Sequence, residues 1–105
     1  MKRFLFLLLI LSHSAFANCW NKAAHYYHID PFLLYAIANV ESGMNPYAIG
    51  INHDGTRDVG LMQINSSHFP ELERKGCNEN PLRTEPCSSN MVGASILSGM
   101  IKVYG

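Results

Sequence analysis

Glu41–Asn65, ESGMNPYAIGINHDGTRDVGLMQIN, is the stretch whose reading decides this chain. It opens with a carboxylate at the end of an apolar helical run and crosses a polar turn. It ends in a second carboxylate, Asp58, followed by Gly60 and the amphipathic Leu61-Met62-Gln63-Ile64-Asn65. Asp54-Gly55 is the dipeptide of a tight hairpin turn, because both residues tolerate the positive φ that such turns require. A hairpin there carries Asp58 back towards Glu41, and two carboxylates flanking a cleft are the pairing that acid chemistry on a glycosidic bond uses.

Upstream, Asp30 can cap a helix, Pro31 suits its first position and Gly43 lies just past its end, so Phe32–Ser42 is predicted helical. Leu34, Ile37, Ala38 and Glu41 share a face at i, i+3 and i+4 spacing. Burial on that apolar stripe and the negative end of the helix both disfavour a charged carboxylate, so the pKa of Glu41 is expected to be raised, as a proton donor requires. Taken alone, a helix-terminal Glu is more commonly a solvated one. Before this helix, Cys19–Ile29 reads as another, stopping at Asp30-Pro31.

Downstream, Asn45-Pro46 and Gly50 read as an irregular connection, and Asp58–Ile64 as a short strand or extended loop. Asn65-Ser66-Ser67 caps a short helix to about Lys75, ended by Gly76. Asn78–Pro86 reads as turn-rich loop. Ser88-Ser89 opens a last helix, Asn90–Val103, with Val92, Ile96, Leu97, Met100 and Ile101 on its apolar face.

Lys2 and Arg3, the apolar run Phe4–Leu11 and the small-x-small Ala15-Phe16-Ala17 form a secretory signal peptide, residues 1–17, cleaved after Ala17. The apolar run is much shorter than the roughly 20 residues that span a bilayer. The expected location is the periplasm. Of the 8 basic and 8 acidic side chains, export removes Lys2 and Arg3, leaving 6 against 8, a net of −2. Nucleic acid, which calls for a basic face, is not an expected partner. The single domain 18–105 is small enough to benefit from a cross-link. Cys19, Cys77 and Cys87 allow three pairings; Cys19 with Cys87 is preferred, because each sits beside a predicted helix start.

Glu41-Ser42, Asn45-Pro46 with Ala48, and Gly60-Leu61-Met62-Gln63-Ile64-Asn65 together resemble the signature of the Slt-like lytic transglycosylases of the lysozyme-like superfamily. The resemblance covers essentially the whole chain after the leader. Within that family it is similar to the small single-domain enzymes that accompany type III secretion, pili and conjugation, in particular the invasion-associated and virulence-associated ones. Asp54–Gly60 leading into Gln63-Ile64-Asn65 also resembles the C-type lysozymes, which place a second carboxylate in this hairpin, whereas most of the transglycosylases work with one Glu.

The resemblance implies a mainly α (α+β, lysozyme-like) fold with a small β-hairpin lip. It implies cleavage of the β-1,4 bond between N-acetylmuramic acid and N-acetylglucosamine in peptidoglycan, with 1,6-anhydro ring formation. Carried over by position, Glu41 is the acid and then the base, Ser42 hydrogen-bonds it, and Met62, Gln63 and Asn65 line the sugar site. Asp58 stabilises developing positive charge, as in the lysozymes. No cofactor and no structural metal are expected. The expected partners are glycan strands and an inner-rod or other periplasmic component of a secretion apparatus, with the protein itself a monomer. Family members continue past the last helix into a segment with an Ala-Tyr-Asn-Ala-Gly motif, so the domain ending at Gly105 is expected to be C-terminally incomplete. Other readings stay open: a hydrolase using Glu41 with Asp58, or an inactive wall-binding remnant. Gln63 and Asn65 could equally satisfy backbone groups in a turn, Met62 could be core filler, and Asp58 could cap the hairpin or pair with Arg57. His25 and His28 lack the further ligand that a metal site needs.

Overall fold

Two helices joined by a tight corner begin the computed structural model, which describes residues 18–105. The leader read in residues 1–17 lies outside the described residues. Helix α1 (Trp20–Tyr27) ends two residues earlier than expected, because His28 takes a left-handed conformation, φ 57°. That turn lets the Ile29 N–H donate to the Ala24 carbonyl at 2.9 Å and packs Ile29 against the core. Helix α2 (Pro31–Ser42) has the boundaries its punctuation predicts. The Asp30 side chain accepts from the Phe32 N–H at 2.9 Å, and Gly43 closes the other end at φ 62°. A side-chain cap of this kind stabilises a helix by about 1 kcal/mol.

Three short strands follow, β1 (Ile49–Ile51), β2 (Arg57–Val59) and β3 (Ile64–Asn65), antiparallel in the order β1-β2-β3. Ile49 pairs with Val59, Gly50 with Asp58, and Asp58 in turn with Asn65. Two sequence readings are corrected here. Residues before the turn, read as irregular, form β1, and Asp58–Ile64 is not one extended run but two strands broken at Gly60. Gly60 has φ 79°, its N–H donates to the Ala48 carbonyl at 2.8 Å, and a Cβ there would lie 1.9 Å from the Leu82 carbonyl oxygen. Only glycine permits so close a passage of backbone past backbone.

A 3-10 turn (Ser66–His68), capped by the Asn65 side chain, leads into α3 (Phe69–Arg74). Asn78–Pro86, read as loop, contains helix α4 (Glu79–Thr84). Pro81 is tolerated in its first turn. Burial of Leu82 and the ion pair between Glu79 and Arg57 hold a helix that local propensity does not announce. The last helix, α5 (Pro86–Tyr104), starts at Pro86 rather than Asn90. Ser89 does not cap it; its hydroxyl accepts the Met62 N–H at 3.0 Å across the core.

Leu34 and Ala38 of α2, Ala23 and Ala24 of α1, Val59, Leu61 and Ile64 of the sheet region, Leu82 of α4 and Ala94 of α5 form one core. Each large aliphatic side chain buried there stabilises the fold by roughly 1.5–3 kcal/mol relative to exposure. Cys19 and Cys87 are joined, with their Cα atoms 5.0 Å apart, and Cys77 is a free, half-buried thiol. The cross-link ties the start of α1 to the first turn of α5, and the Cys19 N–H donates to the buried Asn90 Oδ1 at 2.8 Å beside it. Closing a loop of that length stabilises by about 4 kcal/mol in the chain-entropy account. Helices around a small three-stranded lip make this a mainly α, lysozyme-like fold.

Candidate active site

Between α2, the β3 segment and α5 runs an open groove of about 380 Å³, lined by Glu41, Met62, Gln63, Asn65 and His68 together with apolar side chains. The apolar part comes from Ile37 on α2 and from Ile96, Leu97 and Met100 on α5, with Gly93 between them. A second crevice, about 400 Å³ between α1 and α5, contains no carboxylate.

Glu41 reaches the groove from the last turn of α2. Ile37 precedes it at i−4 and shares the groove wall, while Leu34 and Ala38 point into the core, both wholly buried. The face read as one stripe is therefore two. The apolar enclosure expected to keep Glu41 protonated is not found: its side chain is exposed at the mouth of the groove. Ser42, expected to contact Glu41, instead donates its hydroxyl to the Ala38 carbonyl at 3.0 Å and does not line the groove.

Opposite Glu41 lies the Met62–Asn65 segment. Met62 is only 6% exposed, packed so tightly on α5 that a Cβ on Gly93 would lie within 3.0 Å of its side chain. Most of Met62 is core, and its remaining edge forms the groove floor. Gln63 has a left-handed backbone, φ 52°, a conformation that costs a non-glycine residue roughly 1–3 kcal/mol. Its Nε2 offsets this by donating to the Gly60 carbonyl at 3.0 Å and the Ala48 carbonyl at 3.1 Å. Both N–H groups of that amide are thereby used, which leaves Oε1 as the free acceptor.

Asn65 belongs to a closed polar cluster. Its Nδ2 donates to Asp58 Oδ1 at 2.8 Å and to Thr56 Oγ1 at 3.2 Å. Asn52 mirrors it, donating to Asp58 Oδ2 at 3.1 Å and to the same Thr56 oxygen at 3.0 Å. The Thr56 hydroxyl in turn donates to Asp54 Oδ1 at 2.6 Å. That hydroxyl, followed by the Thr56 N–H, holds the Asp54 carboxyl below the usual carboxylate range. Each Asp58 oxygen thus carries one amide donor, and Asp58 stands behind Asn65, not among the groove-lining residues.

The structure therefore brings Glu41, Met62, Gln63 and Asn65 to one groove, and leaves Ser42 and Asp58 outside its lining. His68 was not read as a site residue. Its only sequence signal is its place three residues after Asn65 in the capped turn. Ile96, Leu97 and Met100 carried the signal of helical spacing, but nothing in that spacing says which neighbour they face.

A carboxylate thus shares an open groove with a Gln-Ile-Asn segment on a small sheet. The transglycosylase SLT domain matches residues 18–105, and the chain belongs to that family. It is 50% identical to Invasion protein IagB of Salmonella typhimurium over 103 residues, covering 97% of this chain and 64% of that protein. It is 42% identical to Protein IpgF of Shigella flexneri over 106 residues, covering 100% of this chain and 70% of IpgF. To the X polypeptide of Escherichia coli it is 43% identical over 89 residues, covering 85% of this chain and 53% of that protein. The chain thus spans 64% of the length of the invasion protein it matches.

Proposed function

We propose that this chain acts as a peptidoglycan lytic transglycosylase with Glu41 as its acid and base. The observation that carries this is the placement of Glu41 over a groove whose opposite side is the Met62–Asn65 segment. The Glu41 carboxylic acid protonates the glycosidic oxygen between N-acetylmuramic acid and N-acetylglucosamine, and the sugar ring develops oxocarbenium character. Glu41, now ionised, accepts the proton of the C6 hydroxyl as that oxygen closes the 1,6-anhydro ring. A glycan lying in the groove displaces water from Glu41 and supplies the desolvation that the free protein lacks.

The arrangement of Asp58 supports the single-acid reading over a hydrolase. A second catalytic carboxylate must face the sugar, and Asp58 is not among the residues that line the groove. In this reading Asp58 positions Asn65. The leader read in residues 1–17 supports export to the periplasm, and the name of the invasion protein supports a part in invasion.

Muropeptide release from purified sacculi, followed by mass spectrometry, tests the assignment. Glu41→Gln is expected to lower release by at least about 10²-fold, the usual contribution of a positioned acid. Asp58→Asn is expected to lower it far less and to leave anhydro products. Undiminished release by Glu41→Gln refutes the role of Glu41. Products heavier by one water, lost in Asp58→Asn, establish the hydrolase instead.

A further inference from the structure

The hydrogen-bond inventory of the groove is lopsided. Both amide N–H groups of Gln63 are given to backbone carbonyls, and both of Asn65 to Asp58 and Thr56. The Asn65 Oδ1 accepts from the Ser67 N–H at 3.0 Å. Glu41 is an acceptor when ionised, and the Gln63 Oε1 is an acceptor always. Ile37, Ile64, Ile96, Leu97, Met62 and Met100 contribute no N–H or O–H. Apart from the proton that Glu41 carries in its acid form, His68 has the one lining side-chain donor that is not already spent, and of the lining side chains it alone can carry positive charge.

We infer that His68 is the anion-recognition residue of this groove, selecting glycans that carry a carboxylate over neutral ones. The inference rests on the saccharide reading above and deepens it. The muramic acid of peptidoglycan bears a lactyl carboxyl group, free or continued into a peptide that itself ends in carboxylates. Such a strand meets repulsion from Glu41 whenever that carboxyl is ionised, and two amides with no donor to offer. An imidazolium at the rim turns that encounter favourable, since a charge-assisted hydrogen bond to a carboxylate is roughly twice as strong as a neutral one. Imidazoles as a class change charge between pH 5 and 8, so the selectivity is expected to follow pH.

Arg57 on β2 donates its backbone N–H to the hydroxyl of Ser66 in the same 3-10 turn as His68, lays its guanidinium over the ring of Phe69 and is paired with Glu79. Glu41 faces the same groove from α2, and Asp58 stands behind Asn65 with both oxygens engaged. Glu71, one turn along α3, is paired with Arg74 and Lys75. Helix α5 gives the lining only apolar side chains and Gly93. His68 itself is exposed, so its replacement removes no core packing.

The test is binding, followed by NMR, of an N-acetylglucosaminyl-N-acetylmuramic acid disaccharide and of its neutral carboxamide, at pH 5.5 and pH 8. The unmodified protein is expected to bind the acid about tenfold more tightly at the lower pH, as the loss of one charge-assisted bond implies, and the carboxamide equally at both. His68→Gln is expected to abolish the pH dependence for the acid. A pH dependence that survives in His68→Gln assigns it to Glu41 and overturns the inference, as does equal binding of acid and carboxamide at pH 5.5. Binding of neither saccharide overturns the saccharide reading, and this one with it.

Discussion

The two sides of the groove are held by opposite means. On the lip, strands of three, three and two residues are too short to be stable as a sheet alone. They are fixed by the Asn52, Thr56, Asp58 and Asn65 cluster and by the passage of Gly60 against Leu82. On the helical side the wall is packing alone: Ile37, Ile96, Leu97 and Met100, with the end of α5 increasingly exposed through Ile101, Val103 and Tyr104. Hydrogen bonds have direction and fix positions to fractions of an ångström, whereas apolar contacts tolerate sliding. The lip is therefore the precise wall and the helical side the adaptable one.

Glycine replacements make the comparison sharpest. Gly60→Ala is expected to have the largest effect, more than about 4 kcal/mol or outright failure to fold, because its Cβ would meet a backbone carbonyl at a positive φ. Thermal or denaturant unfolding checks it. Gly93→Ala meets only the Met62 side chain, which can shift, and is expected to cost roughly 1–3 kcal/mol. Equal losses from the two would show that the walls do not differ as described.

The smallest expected effect lies at the tip of the lip. Because the Asp54 pKa is lowered in the folded state, the stabilisation it gives is present above the ordinary carboxylate range and is lost as pH falls through its folded value. Thr56→Val removes the hydroxyl that is the largest cause, so the titration midpoint of Asp54, followed by carboxyl NMR, is expected to rise. An unmoved midpoint would assign the shift elsewhere and detach Asp54 from the polar cluster.

Much of this architecture was readable before any coordinates, and the reason differs by element. Helix α2 announced itself through Asp30, Pro31 and Gly43, three residues whose preferences act within one turn. The lip was legible from Asp54-Gly55 for the same reason. Helix α4 was not, since Asn78–Pro86 is rich in turn-forming residues, and only the burial of Leu82 against the core and the pairing of Glu79 with Arg57 favour the helix. The true start of α5 was hidden because Ser88-Ser89 looks like a cap until Met62 is seen to donate to Ser89.

The sequence by itself determined where the chain turns, which helix ends in Glu41 and which segment returns to face it, because caps, glycines and the Asp-Gly turn are local preferences that need no neighbour. Only the tertiary structure decided that Glu41 stands exposed at the groove mouth, that Asp58 is held behind Asn65, and that His68 joins the lining. Those outcomes depend on which stripe of α2 the core covers and on which donors other elements have already taken, and neither is encoded in spacing along a single segment.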